Sequence, residues 1–445
     1  MAADLCAPMS LSSKSPGDTG NQPANLVELL QARSLADPDG ISFKFLSDSD
    51  SGYTVLRYRE LDMQARAIAA TLQELAAPGE RVMLCYPAGL EYVAALFGCL
   101  YAGVIAVPAY PPRLHRGNER LQVIAADAQA RFILTTSRIQ ARSERLLNGA
   151  PGLLQLRWLA TDAIHLDRAE QWRPQPTAAG SLAYLQYTSG STSTPRGVMV
   201  THANVLHNCA YINQGFGQTS ASIGLSWLPH FHDMGLIQGI LQPIYIGMLG
   251  LLMSPAAFLQ QPFRWLQLIS ERHVTHSGGP NFAYDLCVNK VTAEQRATLD
   301  LSHWRVAFNG AEPIRHETLE RFAETFAPCG FQRRALYPAY GLAEATLKVS
   351  GAVQEQGPVY CRVSAGALEE HQVVELDECE VPQDAPCRML VSSGQISSDT
   401  RIVIVNPETS AECAPAEVGE IWVSGPSVAA GYWNRPDETE QAFKA

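Results

Sequence analysis

A segment rich in hydroxyls and glycine, residues 187–198, carries the groups that a nucleotide triphosphate needs. Backbone N–H groups and Ser/Thr hydroxyls can donate to phosphate oxygens, and the guanidinium of Arg196 can offset phosphate charge. Gly190 and Gly197 let the backbone approach a ligand closely. The segment is not a Walker loop, because no Gly-Lys-Ser/Thr follows at the required spacing, and an ordinary polar loop remains the alternative. The candidate phosphate-binding residues are Thr188, Ser189, Gly190, Ser191, Thr192 and Arg196.

Three further motifs follow along the chain. Residues 227–236 place His232 beside Asp233. Residues 309–313 come directly after the strand-like run 304–308, and small residues at the carboxyl end of a strand suit a flat base that lies against the backbone. Residues 337–346 bring Tyr340 and Glu344 into one short segment. Taken singly, each motif has a structural alternative: a histidine satisfied by backbone groups, a common strand exit and a solvated surface glutamate.

These motifs, in this order, resemble those of adenylate-forming enzymes. The phosphate loop of that superfamily has the general pattern Tyr-Thr-Ser-Gly-Ser-Thr-Gly-x-Pro-Lys-Gly. The chain departs from it at Ser193, which replaces a glycine, and at Arg196, which replaces a lysine. Arginine keeps the charge but presents a planar fork instead of a point, so phosphate geometry at this position can differ.

The resemblance implies a role for each matching residue. Glu344 would hold Mg²⁺ with Thr188, which fits the preference of Mg²⁺ for one or two carboxylates plus phosphate oxygens and water. The implied catalytic residues are His232, Thr188, Arg196 and Glu344. ATP would contact the phosphate segment named above together with Asn309, Gly310, Ala311, Glu312, Tyr340 and Gly341. The acyl substrate would contact His232, Asp233, Met234, Gly235, Gly279 and Pro280.

Within this superfamily the chain resembles the fatty acyl-AMP ligases. The segments that carry this resemblance are residues 102–108, 277–284, 340–346, 419–426 and 431–433. His232 stands against an amino-acid substrate, because amino-acid-activating relatives carry an aspartate near this position to pair with the ammonium group. An insertion at roughly 352–387 matches one that the family associates with transfer to a carrier protein instead of coenzyme A, although a tolerated surface loop is the alternative.

The resemblance implies a reaction for the whole enzyme. ATP, with Mg²⁺, would activate a fatty acid to the acyl-adenylate and release pyrophosphate. The acyl group would pass to an acyl carrier protein or to a polyketide synthase or nonribosomal peptide synthetase module. Three alternatives stay open: an acyl-CoA synthetase, an amino-acid adenylation domain, and a non-catalytic module that binds acyl-adenylate or a carrier protein.

The positions of the lysines indicate which part of such an enzyme these residues are expected to form. Adenylate-forming enzymes continue into a small C-terminal domain that carries a catalytic lysine. None of the lysines here occupies a matching motif; they are Lys14, Lys44, Lys290, Lys348 and Lys444. The 445 residues are therefore expected to be the large N-terminal domain, which binds nucleotide and acyl group with weak or negligible turnover.

Composition favours a cytoplasmic enzyme. The net charge of −11 and the lack of basic clusters argue against nucleic acid as a partner. The ten cysteines show no Cys-x-x-Cys pair and fit reduced thiols. Two uncharged apolar stretches, 92–110 and 235–254, are interrupted by glycine and proline, so we expect no integral membrane segment. The second stretch follows His232 closely and is a candidate wall for a fatty acyl tunnel.

Predicted strands and helices alternate along most of the chain, which indicates an α/β fold of two layered subdomains with mainly parallel sheets. The predicted strands are 81–85, 131–135, 182–187, 224–228, 274–277, 304–308, 401–405 and 420–423. The predicted helices are 58–74, 91–101, 116–128, 202–212, 262–271, 281–291 and 314–327. Residues 1–24 are expected to be a disordered leader, 25–445 the AMP-binding domain, and about 388–432 a small antiparallel β-barrel within it.

Overall fold

The computed structural model describes residues 23–46, 52–113, 118–147, 150–188, 195–376, 386–397 and 399–444. The strands are β1 Ile41–Leu46, β2 Tyr53–Arg57, β3 Arg81–Cys85, β4 Ile105–Ala109, β5 Phe132–Thr135, β6 Arg157–Ala160, β7 Leu182–Thr188, β8 Arg196–Thr201, β9 Ile223–Ser226, β10 Leu249–Leu252, β11 His276–Gly278, β12 Val306–Asn309, β13 Leu336–Gly341, β14 Lys348–Gly351, β15 Tyr360–Ser364, β16 Cys387–Val391, β17 Arg401–Val405 and β18 Glu420–Ser424.

The helices lie mainly between these strands. They are α1 Leu26–Ala36, α2 Tyr58–Gln73, α3 Leu90–Ala102, α4 Glu119–Asp127, α5 Ser137–Gln140, α6 Ser143–Leu146, α7 Pro151–Leu154, α8 His202–Phe216, α9 Asp233–Leu236, α10 Gln242–Ile246, α11 Pro255–Gln260, α12 Phe263–Glu271, α13 Asn281–Lys290, α14 Ala293–Arg296, α15 His316–Phe326, α16 Ala365–Glu369 and α17 Pro436–Phe443. A π-helical turn, Ile237–Leu241, joins α9 to α10. No helix in the described ranges is long and apolar enough to cross a membrane.

Two mixed sheets organise these elements and confirm the predicted α/β class. The first has the order β6-β5-β3-β4-β7-β8, and its pairs are parallel except for the β7–β8 hairpin. The second has the order β14-β13-β12-β11-β9-β10-β1-β2, with antiparallel pairs only at its two edges. In open sheets of this kind ligands bind beyond the carboxyl ends of parallel strands. The loops after β7, β12 and β13 are therefore the places to look for a site.

A shared core joins the two sheets. Val82 and Tyr184 of the first sheet belong to the same buried cluster as Phe43 and Phe308 of the second, with side chains of α2, α3 and α8 between them. The apolar stretch 92–110 is part of this core: α3 ends at Ala102, Gly103 adopts a left-handed φ of 72°, and β4 follows. Glycine suits that position because it has no Cβ to clash in the left-handed region. The prediction of a helix, a glycine stop and a buried strand is confirmed.

The last strands form two separate antiparallel ribbons, β15–β16 and β17–β18, and all of them except β15 lie in the region for which a small barrel was predicted. Isolated bridges join segments next to the ribbons: Gln372 pairs with Glu417, and Gly351 of β14 pairs with Gln395. In the predicted insertion, β15 and α16 are described, whereas residues 377–385 of its acidic run lie outside the described residues. At the other end, the predicted leader overlaps the described chain, since the N–H of Ala24 already donates to Glu28.

Candidate active site

Two cavities lie at the carboxyl ends of the parallel strands and meet at His232 and Asp233. The first, called here the base cavity, is lined by Phe216, His232, Asp233, Met234, Gln238, Phe308, Asn309, Gly310, Ala311, Ala339, Tyr340, Gly341, Leu347 and Lys348. The second, called here the loop cavity, is lined by Pro108, Ala109, Tyr110, Arg120, Ile124, Gln186, Tyr187, Thr188, Phe231, His232, Asp233 and Ala343. The motifs that the sequence placed far apart therefore converge on one connected cleft.

The end of β12 forms one wall of the base cavity. Asn309 is fully buried, and its amide nitrogen donates to Oδ1 of Asn281 at 3.1 Å. Asn281 in turn donates to the carbonyl of Pro313 at 2.8 Å, which fixes the loop after β12. The side-chain oxygen of Asn309 has no hydrogen-bond partner among the described residues. A buried acceptor without a partner is costly, so this wall is suited to a ligand that donates a hydrogen bond.

Two residues at the cleft hold backbone angles that side chains rarely adopt. Ala311 has φ 70° and Thr346 has φ 68°, although neither is glycine. Each such conformation costs on the order of 1–3 kcal/mol, and residues of this kind concentrate at ligand sites. The hydroxyl of Thr346 donates to the carbonyl of Ser427 at 2.6 Å, which helps to hold this conformation next to Glu344.

His232 stands at the junction of the two cavities with its side chain about half exposed. Its Nδ1 lies 2.6 Å from Oδ1 of Asp233, whose carboxylate also accepts the N–H of Met234 at 2.6 Å. The hydrogen bond with Asp233 raises the pKa of His232 above its ordinary value, against the opposing effect of burial. Asp233 is therefore the carboxylate partner of the imidazole at Nδ1, which also lies 3.4 Å from the backbone nitrogen of Met234.

Removing the Asp233 charge tests this assignment. In Asp233→Asn we expect the pKa of His232 to fall, because the carboxylate that stabilises the imidazolium is lost. The measurement is the pH titration of the His232 ring protons by NMR. Asp399→Asn is the matched control, since Asp399 forms the same kind of pair with His207 at 2.7 Å and does not touch the cleft. An unchanged His232 titration in Asp233→Asn would contradict the pairing.

The segment that follows His232 leaves regular helix inside the cleft. Met234 lies in α9 and Gln238 in the π-helical turn, and both line the base cavity. Single π-helical turns within helices often accompany functional sites. Gly235 allows this segment to pack closely against Pro229, because a Cβ there would lie 2.1 Å from the carbonyl oxygen of Pro229. The apolar stretch 235–254 thus contributes to the wall of the cavity through Gln238, with most of its other residues in the core.

The predicted phosphate loop connects β7 to β8. Thr188 and Arg196 pair across this hairpin, so they form the two stems of the loop. Thr188 lines the loop cavity, and its carbonyl accepts a hydrogen bond from Arg120 at 3.2 Å. The predicted loop residues Ser189, Gly190, Ser191 and Thr192 lie outside the described residues. Thr188, the first stem of the loop, lines the same cavity as His232.

Arg196 and Glu344, the charged groups predicted for phosphate and metal, both contact the end of the chain. Arg196 pairs with Glu438 of α17 at 2.5 Å. Glu344 accepts the hydroxyl of Tyr432 at 2.6 Å through Oε1. Nearby, burial and the Glu344 charge raise the pKa of Tyr340. No group of three or more His, Cys, Asp or Glu side chains able to hold a metal occurs in the described part of the chain.

Several predicted residues lie outside the walls of the two cavities. Of the described ones, Arg196, Gly235, Gly279, Pro280, Glu312 and Glu344 are absent from both linings. Gly279 packs so closely that a Cβ would lie 2.6 Å from the Trp227 ring, and Pro280 precedes α13. Glu312 Oε1 accepts the N–H of Phe282 at 3.4 Å. The observed contacts of Gly279, Pro280 and Glu312 support neighbouring backbone, and the predicted ligand contacts of all these residues stay predictions.

The cleft also contains residues to which the sequence assigned no role. They include Phe216, Gln238, Lys348, Arg120 and Gln186, and Asn281 supports the wall through its contact with Asn309. Tyr432 and Glu438 belong with them through their contacts to Glu344 and Arg196. Tyr432 and Asn281 lie in segments that carried the family resemblance, and this was the available signal. The others come from helices and strands whose sequence carries no local motif.

Comparison with known proteins agrees with this arrangement. Residues 31–433 match the family of AMP-binding enzymes. The chain is 49% identical to the medium-chain-fatty-acid–[acyl-carrier-protein] ligase JamA of Moorena producens, over 95% of this chain and 72% of that protein. It is 37% identical to the long-chain-fatty-acid–AMP ligase FadD23 of Mycobacterium tuberculosis, over 91% of this chain and 70% of that protein.

Solved structures give the same result. The fatty acyl-adenylate ligase of L. pneumophila, in complex with acyl adenylate and pyrophosphate, superposes with a TM-score of 0.88 at 42% identity, covering 95% of this chain and 72% of that one. An adenylation domain of a keto acid-selecting nonribosomal peptide synthetase module shares the fold, with a TM-score of 0.83 at 21% identity. This match covers 95% of this chain and 78% of that one. The chain belongs to the AMP-binding, adenylate-forming enzymes and, among them, to the fatty acyl-AMP ligases.

Proposed function

We propose that this chain binds ATP and a fatty acid so that the acid is activated as an acyl-adenylate with release of pyrophosphate. The observation that carries the proposal is the position of His232, where the base cavity meets the loop cavity. A carboxylate held at this junction would lie between the site for a base and the site for phosphates. The acyl tail would extend past Gln238 and Phe308, which also line a narrow third cavity with Gly239, Met248 and Leu251.

The reaction balances without a proton transfer. A carboxylate oxygen forms a bond to the α-phosphorus of ATP while the bond from that phosphorus to the bridging oxygen breaks, and pyrophosphate leaves with the electron pair. His232, as an imidazolium whose Nδ1–H donates to Asp233, would orient the carboxylate by donating its Nε2–H. Arg196 and the amides of the phosphate loop would stabilise the charge that spreads over phosphate oxygens. Positioning of this kind supplies most of the rate in phosphoryl and nucleotidyl transfer.

The adenine site is proposed at the end of β12 and in β13. The exocyclic amino group of adenine would supply the hydrogen bond that the buried Asn309 oxygen lacks. Gly310 and Gly341 line the cavity where the base would lie, and Gly341 is also needed for packing, since a Cβ there would meet the Leu347 carbonyl at 1.9 Å. Tyr340, on the same wall, would cover the base or the ribose.

Glu344 fits the proposed Mg²⁺ site. Its Oε1 is engaged by Tyr432, and its isolation from other carboxylates suits an ion that takes most of its ligands from phosphates and water. When bound, Mg²⁺ would neutralise phosphate charge, and Thr188 at the loop stem would help to hold it through its hydroxyl.

The acceptor that we propose is an acyl carrier protein, alone or within a polyketide synthase or nonribosomal peptide synthetase module. The name of the 49% identical relative, an acyl-carrier-protein ligase, supports this choice over coenzyme A. We place the reaction in the cytoplasm. For these 445 residues by themselves we expect weak turnover, because no lysine occupies the catalytic motif and loss of one preorganised donor typically costs ~10²–10³ in rate.

Calorimetry with non-hydrolysable adenylate analogues tests the proposed function. The fatty acyl-adenylate analogue should bind at least tenfold more tightly than the matching aminoacyl-adenylate analogue, because His232 offers no carboxylate for the ammonium group. Equal or reversed affinities would contradict the substrate class. Absence of binding by ATP and by both analogues would contradict the nucleotide site itself.

A further inference from the structure

The segment 429–433 runs beside β8 as an added strand. The N–H of Met199 donates to the carbonyl of Gly431 at 2.9 Å, and the N–H of Trp433 donates to the carbonyl of Gly197 at 2.8 Å. The N–H of Ala429 donates to the carbonyl of Glu344 at 2.8 Å. This segment therefore ties the hairpin that bears the phosphate loop to the turn that bears Glu344.

Tyr432 stands at the centre of this segment and contacts two opposite charges. Its ring face lies 5.3 Å from the guanidinium carbon of Arg196, within the range of a cation–π contact. Its hydroxyl donates to Oε1 of Glu344 at 2.6 Å. Only 5% of Tyr432 is exposed, so its ring has little freedom to leave this position.

A chain of ion pairs fixes the outer side of the same region. Arg196 pairs with Glu438, Glu438 with Arg435 at 2.9 Å, and Arg435 with Asp127 at 2.7 Å. Asp127 also accepts the hydroxyl of Tyr187 at 2.6 Å. Because Tyr187 and Arg196 flank the phosphate loop, one network holds both stems. Arg196 thus has a carboxylate partner, Glu438, other than Glu344.

Arg196 and Glu344 would attract each other if nothing separated them. An ion pair between them would remove the cation from phosphate and the carboxylate from metal at once. Tyr432 prevents this, because its ring takes the guanidinium while its hydroxyl takes the carboxylate. Among the ion pairs of the described residues, Arg196 pairs with Glu438 and Glu344 has no cationic partner.

We propose that Tyr432 is a positioning residue that holds Glu344 and Arg196 apart and in place for the metal and the polyphosphate of ATP. The inference rests on the proposed function and deepens it, since it assigns to the end of the chain a part in nucleotide binding. When the triphosphate enters, Arg196 exchanges Glu438 for phosphate oxygens, while Tyr432 keeps Glu344 oriented.

The decisive variant is Tyr432→Phe, which keeps the ring beneath Arg196 and removes only the hydroxyl. Calorimetry would compare binding of ATP with MgCl₂ and binding of AMP without metal. Because a hydrogen bond to a charged group is lost, we expect Mg²⁺-dependent ATP affinity to fall roughly tenfold. AMP affinity should stay within about twofold, because AMP lacks the β- and γ-phosphates, and it reports that the variant is folded.

The chain offers a matched control. Tyr360 also donates to a carboxylate, Glu320 at 2.5 Å, and also lies under a guanidinium, that of Arg333 at 5.1 Å, outside both cavities. Tyr360→Phe should leave both affinities unchanged. A second variant, Glu344→Gln, should weaken Mg²⁺-dependent binding, and adding Tyr432→Phe to it should weaken binding little further, because the two residues act through one carboxylate.

The possible results separate the two proposals. Equal Mg²⁺-dependent ATP affinity in Tyr432→Phe and the parent chain overturns the positioning role alone. An equal fall in AMP and ATP affinity also overturns it, since the effect would then be general damage to the domain. No binding of ATP or AMP by the parent chain overturns the proposed function and, with it, this inference.

Discussion

Replacing Lys348 with methionine is expected to stabilise the protein by roughly 3 kcal/mol at pH 6, and by much less at pH 9.5. Lys348 is only 6% exposed, and burial lowers its pKa to about 7. Its amine donates to the hydroxyl of Tyr337 at 3.1 Å and has no carboxylate partner among the described residues. The rings of Tyr211 and Phe216, at 4.5 and 5.5 Å, offset part of the cost of burying the charge.

The sign of the pH dependence follows from proton binding. Between pH 7 and about pH 10.4 the unfolded chain binds a proton at Lys348 that the folded chain does not, so the stability of the parent rises with pH through this range. Methionine removes this dependence, and its advantage is therefore largest below pH 7. The lowered pKa of Lys348 sets an upper bound near about 5 kcal/mol on the gain in stability. Cation–π contacts make the expected gain smaller than this bound.

Urea unfolding at pH 6 and pH 9.5 measures this difference. Lys290→Met is the control, because Lys290 is exposed at the end of α13 and should show no comparable pH-dependent gain. A Lys348→Met variant that is less stable than the parent at pH 6, or whose gain does not shrink at pH 9.5, would show that the amine is satisfied in the folded state.

Gly235→Ala is expected to cost about 3 kcal/mol of stability or more, and to weaken binding of the fatty acyl-adenylate analogue at least tenfold. The new Cβ would lie 2.1 Å from the carbonyl oxygen of Pro229 and 3.1 Å from that of Leu228. Backbone atoms cannot move aside as the end of a side chain can. The Pro229 carbonyl also accepts the N–H of His232 at 3.0 Å, so any relief of the clash displaces the residue at the junction of the cavities.

Thermal unfolding and calorimetry measure the two effects of this variant. Gly180→Ala serves as control, since a Cβ at Gly180 meets no atom within 4 Å. Parent-like stability and binding in Gly235→Ala would mean that α9 can shift without moving His232, and would contradict the support assigned to Gly235.

Features that depend on neighbouring residues were predictable from the sequence. Gly103 ends α3 as predicted, and β17 has the predicted bounds, Arg401–Val405. The alternation of strands and helices indicated parallel α/β layers, because the spacing of apolar residues that distinguishes a helix from a strand is visible within a few residues. The family motifs likewise identified Asn309, Tyr340 and His232, which the structure brings to one cleft.

Features that depend on distant pairing were not predictable in this way. Asp127 and Arg435 are separated by 308 residues yet lie 2.7 Å apart, and no local pattern marks either one. Lys348 is the first residue of β14, and no local pattern marks it as buried. Its burial depends on Tyr337 and Tyr211 from other elements. The π-helical turn that carries Gln238 lies within an apolar run whose sequence fits a regular helix equally well. Tertiary packing decides each of these.

The unusual backbone angles of Ala311 and Thr346 bear on whether the backbone of the cleft loses its conformational entropy during folding or during ligand binding. Glycine at either position would relieve the strain but would let the peptide planes sample many orientations in the absence of ligand. Alanine, and threonine still more, leave few alternatives once the surrounding chain has folded. The edges of the cleft are thus set during folding, and the entropy of arranging them is not subtracted again from the affinity for a nucleotide.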